Sequence, residues 1–256
     1  MSASQKSLQK VVKRAIGHLS RRLERPELLA AFDRTAAQAL REEIAMHAVI
    51  SAALAENSTY ADIGTNRGQV LRWALRAAPS GRHIAFEPIP ELAAEIRRAH
   101  PGVDCRAMAI SDAPGRSSFC HFHGMDGWSG LQRRPEVDDD VGKPETIDVP
   151  VSTLDVELAG LQPKLIKIDV EGAEYAVLRG AHEVISGTRP LIVFEHEPSA
   201  AALYGYTSTA LWDFLTGFGY RVFAITGEGP LTDWSDTAPN CVNWIASPRN
   251  GTPSGI

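Results

Sequence analysis

Carboxylates and one histidine follow two apolar segments of the chain, at the places where buried strands should end. Asp169 and Glu171 lie at the end of KLIKIDVE (164–171), and His196 follows RPLIVFE (189–195). A carboxylate or a neutral imidazole can take a proton from a reacting group, and histidine's ordinary pKa suits this task near neutral pH. The sequence therefore predicts Asp169, Glu171 and His196 as candidate bases.

A glycine-containing turn follows an earlier strand-like segment, in the sequence DIGTNRG (62–68). Gly64 and Gly68 let the backbone turn tightly and approach a ligand that a Cβ atom would exclude. Asn66 stands where the dinucleotide-binding fingerprint has its middle glycine, which argues against a pyrophosphate cradle. We predict that Asp62, Gly64, Asn66 and Gly68 bind a ligand.

Two further strand ends add polar groups. Glu87, followed by Pro88, lies about 20 residues after the turn, where an acid can accept both hydroxyls of a ribose. Ser111 and Asp112 lie at the end of the next predicted strand (103–111) and are predicted to contact an adenine edge. Together with the turn, these residues favour a nucleoside ligand that has no required diphosphate.

The elements that must position these residues alternate between strand-like and helix-like patterns. Such alternation predicts an α/β fold with a mainly parallel sheet covered by helices on both faces, and ligands at the carboxyl ends of its strands. A single helix is expected over 173–187, where Glu174 should stabilise the first turn. The segments 220–226 and 242–247 have no helix between them, which predicts an antiparallel hairpin.

We divide the chain into a helical extension (1–56), a ligand-binding domain (57–250) and a tail (251–256). The segment 124–148 has no sustained period and is expected to be a loop or lid over the site. The segment 1–25 is basic, with apolar residues at helical spacing. Its predicted helix is expected to pack on its own domain, on a second subunit of a homodimer, or weakly on an anionic membrane surface.

Composition limits the classes of function. The formal net charge of −5 over 256 residues indicates no nucleic-acid partner. Three scattered cysteines argue against zinc sites and disulfides, and no run reaches the ~18 apolar residues of a membrane helix. We expect a soluble, cytoplasmic protein.

Two groups of residues raise the question of a metal. His121 and His123 form an H-x-H pair that resembles half of a metal site, but the sequence identifies no third ligand. The acids at 169, 171, 195 and 197 are oxygen ligands of the kind that Mg²⁺ prefers, although neither segment has a closed ligand spacing. We therefore expect no bound metal, and Mg²⁺ stays the alternative.

Five blocks of the sequence resemble the FkbM-type family of S-adenosylmethionine-dependent methyltransferases. They are DIGTNRG (62–68), FEP (86–88), AISD (109–112), STLD (152–155) and KIDVEGAE (167–174). The resemblance implies the class I methyltransferase fold, a Rossmann-like three-layer sandwich with seven strands, one of them antiparallel. It also implies methyl transfer from S-adenosylmethionine to a hydroxyl of a small acceptor such as a sugar, a glycolipid or a natural product.

Two alternatives stay open at this point. One is a nicotinamide-dependent oxidoreductase, against which Asn66 already argues. The other is a non-catalytic module that binds an adenosyl group. An alcohol must lose its proton as it attacks a methyl group, so a methyltransferase of this kind requires a base or a metal near the acceptor oxygen.

Overall fold

The computed structural model describes residues 34–133, 144–234 and 241–249. The predictions for the basic segment 1–25, the tail and the middle of the 124–148 loop lie outside these residues. Ten strands are described: β1 (Thr59–Ile63), β2 (His83–Phe86), β3 (Asp104–Arg106), β4 (Ala109–Ile110), β5 (Gly115–His121), β6 (Glu145–Ser152), β7 (Pro163–Ile168), β8 (Leu191–Glu195), β9 (Tyr220–Ala224) and β10 (Asn243–Pro248).

Eight α-helices are described; α1 precedes β1, and the others alternate with or follow the strands. They are α1 (Arg34–Ala53), α2 (Gln69–Ala77), α3 (Pro90–Ala99), α4 (Leu154–Glu157), α5 (Glu174–Arg179), α6 (His182–Gly187), α7 (Pro198–Leu203) and α8 (Ser208–Gly217). Among the described residues, no helix is both long and apolar enough to cross a membrane.

Seven strands form one sheet in the order β3-β2-β1-β7-β8-β10-β9. All pairs are parallel except those of β10, which runs antiparallel to both β8 and β9. The predicted α/β fold and the antiparallel hairpin at the end of the chain are confirmed. The strand order reverses between β1 and β7, and ligands of open α/β sheets bind at such a point.

Helix α1 packs on the sheet domain and buries Val49 and Ile50 in the same core. Its buried Glu42 accepts hydrogen bonds from the backbone N–H groups of Val242 and Asn243, at 3.2 and 3.0 Å. This part of the predicted extension therefore holds the start of β10 in place.

A second sheet, in the order β4-β6-β5, differs from what the sequence suggested. We expected one strand over 103–111, but the chain turns after β3, and β4 pairs in parallel with β6 rather than continuing beside β2. The expected loop 124–148 is also shorter, since residues 145–148 belong to β6 and pair with β5. The start of β4 and the start of β6 are both set by hydrogen bonds to a strand that is distant in sequence.

The predicted helix over 173–187 is two helices, α5 and α6, and Asp155 explains the break. The Val184 N–H donates to Asp155 Oδ1 at 2.9 Å, while the Gly180 carbonyl accepts from the Asp155 N–H, also at 2.9 Å. The i to i−4 bond that would join the helices is thus replaced. Thr153, whose Oγ1 accepts from the Val156 N–H at 3.3 Å, caps α4.

Glu174 closes the turn between β7 and α5. Its Oε1 accepts from the N–H groups of Gly172 and Val170, at 3.0 and 3.2 Å, and its Oε2 accepts from the Tyr206 hydroxyl at 3.1 Å. Only 1% of the residue is exposed, and this burial raises the pKa of Glu174 from 4.5 to about 7. The expected stabilising role in this turn is confirmed.

The raised pKa of Glu174 predicts that the protein loses stability as the pH rises. The folded state holds this proton more tightly than the unfolded state does, so the contribution is complete below about 4.5 and is lost as the pH passes through about 7. When the pH is raised from about 5 to about 8, the free energy of unfolding of the wild type should fall by about 1 to 3 kcal/mol more than that of Glu174→Gln.

Urea unfolding at several pH values measures this difference. Glu91→Gln, which changes an exposed acid of α3, is the matched control and should keep the wild-type pH dependence. An unchanged pH dependence in Glu174→Gln would contradict the assignment.

Candidate active site

A partly enclosed cavity, called the buried cavity below, lies at the carboxyl ends of β1, β2 and β7. Its empty space, which includes open solvent, is about 640 Å³. Asn66, Glu87, Asp169 and Glu171 contribute polar groups to its wall, and Pro88 also lines it. Apolar side chains supply most of the remaining surface, and they include Ile63, Phe86, Met108, Ile110, Phe119 and Leu131.

The glycine turn brings β1 and β7 into close contact at the mouth of this cavity. Gly64 has a φ of 78°, and a Cβ atom there would lie 1.7 Å from the carbonyl oxygen of Asp169. Gly68 has a φ of 72° and precedes α2, where a Cβ atom would lie 2.6 Å from Ile96 Cδ1. The turn and the acids at 169–171 therefore lie together at the carboxyl ends of the strands, as expected.

Glu87 is buried, with 4% of its surface exposed, and supports the turn from β2. Its Oε2 accepts from the Asn66 N–H at 2.7 Å, and its Oε1 accepts from the Ile89 N–H at 2.9 Å. Burial raises the pKa of Glu87 from 4.5 to about 7, although these two N–H groups oppose the shift. Each oxygen keeps a further lone pair for a donor in the cavity.

Lys167 is a site residue that our sequence analysis missed. Its Nζ lies 2.8 Å from Asp169 Oδ2 and 3.8 Å from Asp62 Oδ1, and it donates to the Gly64 carbonyl at 3.1 Å. Burial alone would lower the pKa of Lys167, but the two carboxylates outweigh it and raise that pKa above its ordinary value. The available signal was a lysine within the apolar strand LIKI (165–168).

Asp62 lies beneath the turn rather than in the cavity wall, and it is fully buried. Burial, reinforced by the neighbouring charge of Asp169, raises the pKa of Asp62 to about 6 despite the attraction of Lys167. Among the described residues, neither carboxylate oxygen makes a hydrogen bond of ordinary geometry, although an interaction with the Tyr60 hydroxyl opposes the raised pKa of Asp62. Asp62 therefore holds Lys167 electrostatically.

Asp169 also lies beside Glu195, at the end of β8. Burial, together with the charges of Asp169 and Glu171 and a hydrogen bond to Asp169, raises the pKa of Glu195 well above its ordinary value. Within the described part of the chain, these acids do not form a group of three with metal-ligand spacing.

His196 is not brought to the cavity. Its Nε2 lies 2.8 Å from the Ser208 hydroxyl, and its ring centroid is 4.8 Å from that of Trp234. Only 2% of the residue is exposed, and burial lowers the pKa of His196 to about 4. This environment fits a buried structural histidine.

Ser111 and Asp112 also point elsewhere, although they follow Ala109 and Ile110, which line the cavity. The Ser111 hydroxyl donates to Asp112 Oδ1 at 3.3 Å, and Asp112 pairs with Arg179. Neither side chain belongs to the described lining of the cavity, so the structure does not place Ser111 and Asp112 for the adenine contact that we expected.

A second, wider depression opens between the glycine turn and residues 124–128. Its empty volume, much of it open to solvent, is about 1100 Å³. Trp128, which is 40% exposed, lies on its wall together with Arg67 and Lys167. Five residues line both spaces, namely Gly64, Asn66, Asp126, Gly127 and Asp169. Two ligands bound side by side would therefore meet along these five residues.

Comparison with known proteins identifies the family. The model of the methyltransferase FkbM domain matches residues 62–222. The 2-O-methyltransferase NoeI of Sinorhizobium fredii is 35% identical over 144 residues, which are 50% of this chain and 59% of NoeI. The AMB antimetabolite synthetase AmbE of Pseudomonas aeruginosa is 26% identical over 199 residues, which are 63% of this chain and 9% of AmbE.

The chain thus spans less than two thirds of either relative's length. The crystal structure of the methyltransferase FkbM from Methylobacillus flagellatus KT superposes with a TM-score of 0.47 and 15% identity, over 91% of this chain and 58% of that one. The family model covers more than half of the present sequence, and its matched region contains all five motif blocks. The chain therefore belongs to the methyltransferase FkbM domain family.

Proposed function

We propose that this methyltransferase uses S-adenosylmethionine and transfers the methyl group to a hydroxyl oxygen of a small acceptor, with Asp169 as the base. The observation that carries the proposal is the position of Asp169, which lines both the buried cavity and the open depression. Family membership supports a methyltransferase over the alternatives of a nicotinamide-dependent oxidoreductase and a non-catalytic module.

The residues of the buried cavity fit an adenosyl group. The carboxylate of Glu87 can accept further hydrogen bonds from ribose hydroxyls. Side chains such as Phe86, Met108 and Ile110 offer apolar surface for the adenine ring. Gly64 and Asn66 leave room at the polar end, beside Asp169. S-adenosylmethionine, when bound there, supplies a methyl group that is already activated for transfer.

Asp169 is suited to accept the proton of an acceptor hydroxyl. Its side chain is 32% exposed, whereas the neighbouring Lys167 is almost fully buried. The ion pair with Lys167 at 2.8 Å fixes the orientation of the carboxylate. A base that is held in position in this way does not have to reorganise during the reaction.

Glu171 is the second candidate base. It has a φ of 57°, a left-handed conformation that residues other than glycine rarely adopt. It lines the buried cavity but not the open depression, so a hydroxyl in the depression is nearer to Asp169. His196 has no assigned role, because it lines neither the buried cavity nor the open depression. A magnesium ion has none either, because Lys167 already engages Asp169.

The open depression supports a sugar or another hydroxylated natural product as the acceptor. The exposed face of Trp128 offers a surface on which a sugar ring can stack. The similarity to NoeI, described as a 2-O-methyltransferase, supports an oxygen atom as the methyl acceptor.

The proposed ribose contact is tested with Glu87→Gln, which keeps the side-chain volume and one acceptor for the backbone. We expect affinity for S-adenosylmethionine and S-adenosylhomocysteine to fall by about 1 to 3 kcal/mol, since charge-assisted hydrogen bonds are lost. Isothermal titration calorimetry measures the change. Glu91→Gln should bind like the wild type, and circular dichroism checks that both variants are folded. Wild-type affinity in Glu87→Gln would remove the ribose role.

The proposed base is tested with Asp169→Asn. We expect S-adenosylhomocysteine binding to change little, while turnover falls by about 100-fold or more, the usual range for loss of a general base. Turnover is measured as S-adenosylhomocysteine release with a panel of sugars and hydroxylated natural products.

Two matched variants separate the candidate bases. Glu171→Gln should lose less turnover than Asp169→Asn, and His196→Asn should retain most of it if the variant is folded. Full activity in Asp169→Asn would contradict the assignment.

A further inference from the structure

The end of β5 and the start of β6 bring together two histidines and a carboxylate. His121 is the register partner of Glu145 across the antiparallel pair, so both side chains lie on the same face. His123 lies in the turn that follows β5, and its ring is close to that of His121. One potential ligand atom from each of the three residues lies within 4.8 Å of the others.

These side chains already contact one another. The ring centroids of His121 and His123 are 4.1 Å apart, and His123 Nε2 lies 2.8 Å from Glu145 Oε2. Two imidazoles and one carboxylate are the donor set of zinc and related divalent transition metals. Small movements of the exposed His123 and Glu145 side chains would bring the atoms to the spacing that a metal ion requires.

Asp126 supplies the support that a metal-binding histidine needs. Its Oδ1 lies 3.1 Å from Nε2 of the buried His121, and a metal bound at the other ring nitrogen would leave this contact intact. A carboxylate on the second ring nitrogen is the usual arrangement around zinc-bound histidines, where it fixes the tautomer and the ring orientation. Asp126 also pairs with Arg67, beside the glycine turn.

We propose that His121, His123 and Glu145 form a binding site for a zinc-class divalent cation, with the remaining coordination positions open to solvent. The ion joins the end of β5 to the start of β6. Through His121 and Asp126 it also fixes the wall that the buried cavity shares with the open depression. This site is separate from the acids at β7 and does not depend on the identity of the methyl acceptor.

The test is a metal titration of the full, untagged chain. We expect one equivalent of Zn²⁺ to bind in competition with a chromophoric chelator, and Co²⁺ to give the visible absorption of a site with nitrogen ligands. Mg²⁺ should not compete. His123→Ala and Glu145→Gln, which change exposed residues, should each weaken Zn²⁺ binding at least about tenfold, and so should Asp126→Asn.

His100→Ala is the matched control, since it removes a histidine at the end of α3, away from this cluster. It should bind Zn²⁺ like the wild type, and bound Zn²⁺ should raise the thermal midpoint of both but not of His123→Ala. Circular dichroism without metal checks folding. The proposal is overturned if the wild type binds no Zn²⁺ at micromolar metal, or if His123→Ala and Glu145→Gln bind it as tightly as His100→Ala does.

Discussion

The arrangement of the site depends on one buried ion pair network between the two central strands. Lys167 on β7 is the register partner of Asp62 on β1, and its ammonium group also holds Asp169 and the Gly64 carbonyl. Removal of Lys167 would leave the carboxylates of Asp62 and Asp169 without a compensating positive charge. Isolated charges are very unfavourable in a protein interior. The glycine turn, the end of β7 and the proposed base are positioned relative to one another by this contact.

Burial of several further acids gives the site a charge state that depends on pH near neutrality. Glu87 and Glu174 both have pKa values raised to about 7, and both use their oxygens to hold backbone N–H groups at strand ends. They shape the turns on either side of the cavity. Asp169 differs because a third of its side chain reaches solvent, which is where an acceptor would approach.

The small sheet completes the site from the other side. Phe119 on β5 lines the buried cavity, and the segment after β5 carries Asp126, which pairs with Arg67, and Trp128 on the open depression. The backbone of Gln132 donates to the Tyr204 hydroxyl at 3.0 Å, which ties the same segment to the chain after α7. The proposed metal would stabilise this wall where β5 and β6 meet.

The sequence alone determined the α/β class, the antiparallel strand at the end of the chain, and the convergence of Gly64, Glu87 and Asp169 on one edge of the sheet. These conclusions follow from local patterns, because alternating elements, glycine turns and charges at strand ends reflect the conformation of neighbouring residues. The motif blocks also identified the family, as the comparison confirmed.

Only the tertiary structure decided which distant groups meet. It turned Ser111, Asp112 and His196 away from the cavity, assigned Asp155 to the start of α6, placed Lys167 between two acids, and brought Glu145 to the H-x-H pair. Each of these contacts joins segments whose relative register is set by strand pairing and side-chain packing. A residue's own neighbours in sequence do not encode that register, so spacing alone gave two histidines where the folded chain provides a third ligand.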